Sequence, residues 1–240
     1  MTQSSVLQLP KRFYKTATVS EADGGFGVLL DERPVRTPAG AALSLPTRAL
    51  AEAIASEWAA QDELIDIPNM TLTRLANVAI DRTPETRAAL ADEVVNYCGT
   101  DLLCHLAEAP ATLVEKQEAA WRPVRDWAGK TLDVVLVPVA GIVAVPQPPA
   151  SLEAAGKHAA ALDDFRLTGL AHALGLYGSA LLALAVEQDE LTAMDALEMS
   201  RIDEVWQAEQ WGVDEEAREA YATRKHDAKA LAEWFDGLRG

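Results

Sequence analysis

Four histidines, two cysteines and several adjacent carboxylates are the side chains of this 240-residue sequence whose types could carry out chemistry, and their spacing denies them most of it. His105, His158, His172 and His226 form no i, i+4 pair, so no two of them share a helix face as metal ligands do. Cys104-His105 is an adjacency of soft ligands, but Cys98 does not complete a zinc spacing with it. Read in one helix, Cys98 and Cys104 lie on somewhat different faces, and both are expected as small buried hydrophobes in a reducing cytoplasm. Asp163-Asp164, Asp203-Glu204 and Glu215-Glu216 are neighbours on helices, where successive side chains point about 100° apart and so do not converge on one proton. Gly25-Phe26-Gly27 lacks the third glycine of a dinucleotide loop, and no Gly-Lys-Ser/Thr phosphate loop occurs. Gly178-Ser179 lacks the second glycine of a nucleophile elbow; inside an apolar helix the small pair suits close approach of a neighbouring helix. No catalytic residue, metal site or cofactor is therefore expected. The competing reading is a small-molecule enzyme with a site between the two parts of the chain, using His172 or Asp163.

The segment from Ser200 to Gly212 has a different character. On a helix it carries Ile202, Val205, Trp206 and Ala208 on an inward side and presents Asp203, Gln207 and Gln210 outward, with Glu204 near the boundary. Gly212 ends it. Trp206 and Trp211 flank an acidic, amide-rich stripe, the composition of an interface helix; the same tryptophans read equally well as core residues.

The elements around these residues fall into two groups. Phe13 to Ser20 mixes aromatic, β-branched and polar residues as a half-buried strand does, Glu21 to Gly25 turns, and Phe26 to Leu30 resumes as the second strand of a hairpin. Asp31 to Pro34 is a further turn, and Val35–Thr37 and Leu43–Leu45 flank Pro38-Ala39-Gly40 as a short second hairpin. From Thr47 the period becomes helical, with Leu50, Ile54 and Trp58 four apart behind a cap. Met70 to Ile80 is a second helix, broken at Thr83-Pro84, and Glu85 to about Leu106 a third. Between Lys130 and Pro149 the chain is β-branched, including Ile142-Val143-Ala144-Val145, but Pro138 and Pro146 favour an extended connector over a sheet. Four helices then follow: Ser151 to Phe165, Leu167 to Val186, Ala193 to Trp211 and Glu215 to Phe235. The fold class is α+β: a small mixed β/α N-terminal domain over 1–90, then an all-helical domain over 91–240.

Composition bounds the possible partners. A net charge of −16 and a pI near 4.6 argue against nucleic acid, whose phosphates need clustered Lys and Arg. The charge is uneven. Residues 1–48 carry six Lys or Arg against four Asp or Glu, whereas residues 187–240 carry six against fifteen, which reads first as a solvated acidic surface that aids solubility and, more sharply, as an acidic face that steers a complementary protein. No 18-residue apolar run suits a membrane span, and Met1 to Pro10 has neither a signal-peptide nor a transit-peptide pattern, so a cytoplasmic, monomeric protein is expected.

Several stretches, in order, carry a resemblance to a known family. They are Lys11 to Lys15, Leu30 to Pro38, Ala55 to Gln61, Met70 to Asn77, Tyr97 with Thr100 to Cys104, Gln117 with Trp121, and Ser200 to Gly212. Together they resemble the ATP-synthase assembly chaperone family, the one that escorts the alpha subunit of the catalytic sector, in its bacterial form. The resemblance covers almost the whole chain. It implies a mixed N-terminal region, a helical C-terminal region, and ATP-independent binding of the unassembled alpha subunit over a surface that the beta subunit later occupies. It also implies a functional acidic residue in the C-terminal helix, which falls on Glu204 or next on Asp203. Around it Gln207, Gln210, Trp206 and Trp211 complete the expected partner surface. Where the family often has Glu-Glu-Glu-Phe-Gln, this chain has Asp203-Glu204-Val205-Trp206-Gln207.

Overall fold

In the computed structural model, which describes residues 9–22, 24–141, 143, 145–212 and 215–240, the chain divides into two compact units. One comprises the residues up to Arg82 together with Asp236–Gly240; the other is Thr83–Phe235. The boundary expected near residue 90 falls inside a helix that begins at Thr83. The expectations for Met1 to Pro10 rest mostly on residues 1–8, which lie outside the described residues, as do Asp23 in the first turn and Ile142 and Ala144 in the connector. The whole is α+β, as the sequence reading has it.

The first unit is built on an antiparallel sheet ordered β1 (Ala17–Ala22), β2 (Gly25–Leu30), β3 (Arg33–Pro34). Arg33-Pro34, read as turn, is strand because Asp31 and Glu32 take the turn upon themselves with φ of 46° and 70°. The Asp31 carboxylate accepts from Lys15 N, Thr16 N and Thr16 Oγ1, which offsets that backbone conformation and holds its carboxyl below the usual aspartate value. Gly25 is required: a Cβ there would stand 2.2 Å from Leu45 O, whose strand-like bonds to Phe26 close the sheet. Helix α1 (Arg48–Ala59) has the expected cap, with Thr47 Oγ1 accepting from Leu50 N, and buries Leu50, Ile54 and Trp58 against the sheet. Glu57 then reaches the N-terminus of α2 (Thr71–Asp81) and accepts from Leu72 N, Thr73 N and Thr73 Oγ1, so one exposed-looking acid of the Ala55–Gln61 stretch joins the two helices.

The second unit is helical. Its centre is α7 (Ala180–Glu187), buried on every side, as a helix apolar all round must be. Around it lie α3 (Thr83–Gly99), α4 (Ala111–Thr131), α5 (Pro149–Ala161), α6 (Asp164–Tyr177), α8 (Ala193–Ser200), α9 (Ile202–Trp211) and α10 (Glu215–Arg239). Glu187, the last residue of α7, is fully buried and lies against His158 Nε2 at 2.9 Å and Arg166 Nε at 2.7 Å. Burial raises its carboxyl, but these partners outweigh burial and hold it below the ordinary glutamate value.

Several expected helices are divided. Leu167 to Val186 is two helices because Gly178, with φ of 65°, ends α6, and Ser179 Oγ caps α7 by accepting from Leu182 N. The small pair makes a corner, not a helix contact. Ala193 to Trp211 breaks at Arg201, which serves as last cap of α8 and first of α9. The third helix stops at Gly99, so Cys98 ends α3 while Cys104 sits in a single 3-10 turn, Leu102–Cys104. Both thiols are free and buried, and burial pushes Cys104 up to about 12. Between α4 and α5 the described residues of the connector carry no helix, and its one strand, β5 (Val139–Ala140), pairs in parallel with β4 (His105–Leu106).

Asp101 explains why Thr100–Cys104 has the residues it has. It is 0% exposed and accepts from Leu103 N at 2.9 Å, Ser179 Oγ at 2.9 Å and Leu181 N at 3.0 Å. One carboxyl thereby joins the 3-10 turn to the N-terminus of α7, the central helix.

Candidate partner-binding site

The Ser200–Gly212 stretch is positioned by α4. On that helix Leu113, Gln117, Trp121, Val124 and Ala128 repeat at spacings of three and four, and all are buried. Two of them are polar at their tips, and each tip is used. Trp121 Nε1 donates to Met199 O at 2.9 Å, which fixes the end of α8. Gln117 accepts from Ala107 N at 2.7 Å and donates to Asp203 Oδ1 at 2.6 Å, which fixes the first turn of α9. Lys116 adds an ion pair with Glu209 at 3.1 Å and stands 5.0 Å from the centre of the Trp206 ring.

The other side of α9 meets α10. The C-terminal half of α10 is anchored by Leu231, Trp234 and Phe235, all buried, with Trp234 stacked on Phe165 at 5.8 Å. A Cβ on Gly169 of α6 would stand 2.7 Å from Trp234 Nε1, so glycine is what lets that indole in. The N-terminal half of α10 reaches α9 through charge. Glu204 accepts from Arg201 Nε at 2.9 Å and from Arg224 at 3.0 Å, while the Arg201 guanidinium lies 3.9 Å over the Tyr221 ring and Tyr221 Oη donates to Glu198. Partial burial raises the Glu204 carboxyl, but the hydrogen bonds and charges of Arg201 and Arg224 exceed it and hold the group below its usual value.

The expected site residues therefore separate into two sets. Gln207 and Gln210 are exposed, as the stripe implied, and Trp211 is 81% exposed and not a core residue. Asp203, expected outward, is half-buried because Gln117 draws it in; Trp206 is half-buried beneath Lys116. Glu204 is exposed yet engaged by two arginines, and Val205, expected inward, is exposed. No residue of α9 is fully buried. Two open grooves flank it. One of about 740 Å³ runs along α10 past Val205, Ala208, Trp211 and Tyr221, and one of about 500 Å³ lies between Ala119, Ala120, Ile202 and Val205.

Lys116, Arg201, Arg224 and Tyr221 are the contributors that reading α9 by itself does not find. Gln117 with Trp121 carried a sequence signal, as did Arg201 by lying in the Ser200–Gly212 stretch; Lys116, Arg224 and Tyr221 carried none. The residues of the enzyme reading are placed differently: Asp163 caps α6 by accepting from Arg166 N at 2.9 Å, and His172 lies in the middle of the same helix. Among the described residues no group of three His, Cys, Asp or Glu could hold a metal ion, and no helix is long and apolar enough to cross a membrane.

Comparison with known proteins gives one consistent answer. Residues 11–129 match the family model described as ATP12 chaperone protein. The crystal structure of Atp12 from Paracoccus denitrificans is 42% identical, with 96% of this chain and 97% of that chain covered and a TM-score of 0.85. The Atu1473 protein of Agrobacterium tumefaciens is 40% identical over 96% of this chain and 87% of that one, with a TM-score of 0.90. A more distant relative, the mitochondrial protein atp12 of Schizosaccharomyces pombe, is 26% identical over 90% of this chain and 79% of its own length. With the two-part α+β fold and near-complete coverage at 40% identity or above, the chain belongs to the ATP12 chaperone family.

Proposed function

We propose that this protein is an assembly chaperone of the ATP-synthase catalytic sector, working as a monomer in a bacterial cytoplasm, and that it holds the unassembled alpha subunit by the outer face of α9. One observation supports the site above others: Trp211, 81% exposed, stands with exposed Val205 and Gln207 beside a groove of about 740 Å³, next to exposed Gln210 on the same helix. A large exposed aromatic with amides near it is the composition of a binding hot spot. Glu204 and Asp203 act in this reading by orienting the helix, since their carboxylates are taken up by Arg201, Arg224 and Gln117.

The function follows from what an isolated subunit needs. Its unpaired subunit interface is apolar and aggregates, and a chaperone covers it without binding so tightly that the proper neighbour cannot displace it. The test uses purified alpha subunit without nucleotide. Wild-type protein is expected to bind it and suppress its light scattering on warming, and Trp211→Ala is expected to weaken both. Failure of the wild type to bind alpha subunit removes the proposed client, and full protection by Trp211→Ala removes the proposed face.

A further inference from the structure

A second recognition feature lies between α4 and the connector that follows it. From Val134 to Pro138 the chain is extended: Val134 and Leu136 are buried while Val135 and Val137 are exposed, the two-residue alternation of a strand. One backbone edge of this segment is filled by side chains instead of a neighbouring strand. Ser151, expected as a helix cap, instead uses Oγ to accept from Val135 N at 3.0 Å and donate to Val135 O at 2.8 Å. Gln147 does the same for Val137, accepting from its N–H at 2.7 Å and donating to its C=O at 3.1 Å.

In a strand the N–H and C=O of one residue point to one edge and those of the next to the opposite edge. Leu136 therefore directs both groups away from Ser151 and Gln147, and among the described residues neither group has a hydrogen-bond partner, although Leu136 is only 5% exposed. An open backbone donor and acceptor on one residue are the groups that an added strand bonds. That edge borders a cleft of about 1400 Å³ whose near wall includes Val135, Leu136 and Pro138 and whose far wall is α4, with Ala119, Arg122 and Trp127. Pro123 within α4 has no N–H to give to Ala119 O, so a backbone acceptor on the far wall is relieved of its helical donor as well. The cleft's charges are mostly settled internally, Arg122 with Asp126 and Arg125 with Glu118, whereas Lys130 has no ion-pair partner among the described residues.

We infer that this cleft takes an extended segment of the client polypeptide, which adds as a short strand along Leu136, sets small apolar side chains on Val135 and Val137, and brings an acidic side chain to Lys130. Strand addition needs a partner that offers a backbone donor and acceptor at one residue's spacing, and only extended chain does so. Pro138 has no N–H and Val134 N already donates to Ala128 O at 3.1 Å, so Leu136 supplies the open donor of this edge and the pairing stays weak enough to exchange. The inference rests on the client-binding reading above but uses a different surface.

The experiment is residue-resolved amide hydrogen exchange of the full chain, free and with purified alpha subunit. The Leu136 amide is expected to exchange at least about tenfold more slowly in the complex, while the amides of Val135 and Val137, already bonded, change little. A complex that forms with Leu136 exchange unaltered overturns the inference and leaves the chaperone reading standing. If no complex forms, the client reading falls and takes this occupant with it. Protection of Leu136 on raising the protein's own concentration, without client, would identify a second copy as the occupant and also overturn the inference. Lys130→Glu, whose side chain is on the surface, is expected to weaken the complex several-fold with no change in the unfolding midpoint.

Discussion

Replacing Glu204 by Lys sets an ammonium between Arg201 and Arg224, where carboxylate oxygens now lie 2.9 and 3.0 Å from the two guanidinium groups. The Glu204 side chain is 52% exposed, so each pair belongs in the low part of the range for surface ion pairs, and losing both costs about 1 kcal/mol. Like charges at the same separation add a penalty of similar size, for a total of about 2 kcal/mol. Because α9 buries no residue completely, that cost is expected to appear as local detachment of α9 and not as unfolding of the whole unit. Amide exchange within α9 reads it directly: 2 kcal/mol corresponds to roughly thirtyfold faster exchange, with the amides of α7 unchanged. Adding Arg224→Glu to Glu204→Lys restores one pair with its polarity reversed and recovers about 1 kcal/mol in a double-mutant cycle. If Glu204→Lys abolishes client binding while α9 exchanges at the wild-type rate, Glu204 touches the client and the positioning argument is wrong.

Other substitutions probe other links. The sign for Glu204 itself follows from its lowered carboxyl: the clamp is present above the ordinary value of 4.5 and is lost as pH falls through the lower folded-state value, so protection of α9 amides, corrected for intrinsic exchange, is expected to decline only below pH 4.5. Asp101→Ala leaves Leu103 N, Leu181 N and Ser179 Oγ without their acceptor and is expected to cost about 3 kcal/mol, or a midpoint lower by roughly 6–12 °C in a thermal scan; a shift of a degree or less would show that water replaces the carboxyl. Gly25→Ala drives a methyl group into Leu45 O and is expected to destabilise the first unit by about 1–3 kcal/mol in denaturant titration, whereas Gly24→Ala meets no neighbouring atom and pays only for its φ of 84°. Trp211→Ala is expected to weaken client binding about tenfold by calorimetry and to leave stability unchanged, as its exposure implies.

What could be read from the sequence was whatever depended on neighbours within a few positions. Thr47 capping Leu50, with Ile54 and Trp58 following, is local and was legible in full. The corner at Gly178-Ser179 was not, because both flanking helices are apolar enough to pass for one, and only the left-handed backbone of Gly178 separates them. The break at Arg201 has no glycine or proline to announce it. The same limit governed the stripe on α9: a helical wheel puts Asp203 outside, but Gln117, 86 positions earlier, holds it half-buried. Pairings of that span, including Asp101 with Ser179, are fixed by tertiary packing, and in a single sequence they leave only the trace of a polar residue among apolar ones. The family resemblance takes in Asp101, Gln117 and Asp203, but not Ser179, and does not say why they are there.

Helix α9 buries no residue completely and is held to α4 through Gln117, and this separates two kinds of residue around it. Substitutions at Gln207, Gln210 and Trp211 remove nothing from the interior and are expected to alter the outer face with almost no penalty in foldability. Gln117, which holds the first turn of α9, and Trp121, which holds the end of α8, are expected to tolerate exchange far less, since each tip serves the backbone or side chain of a distant element.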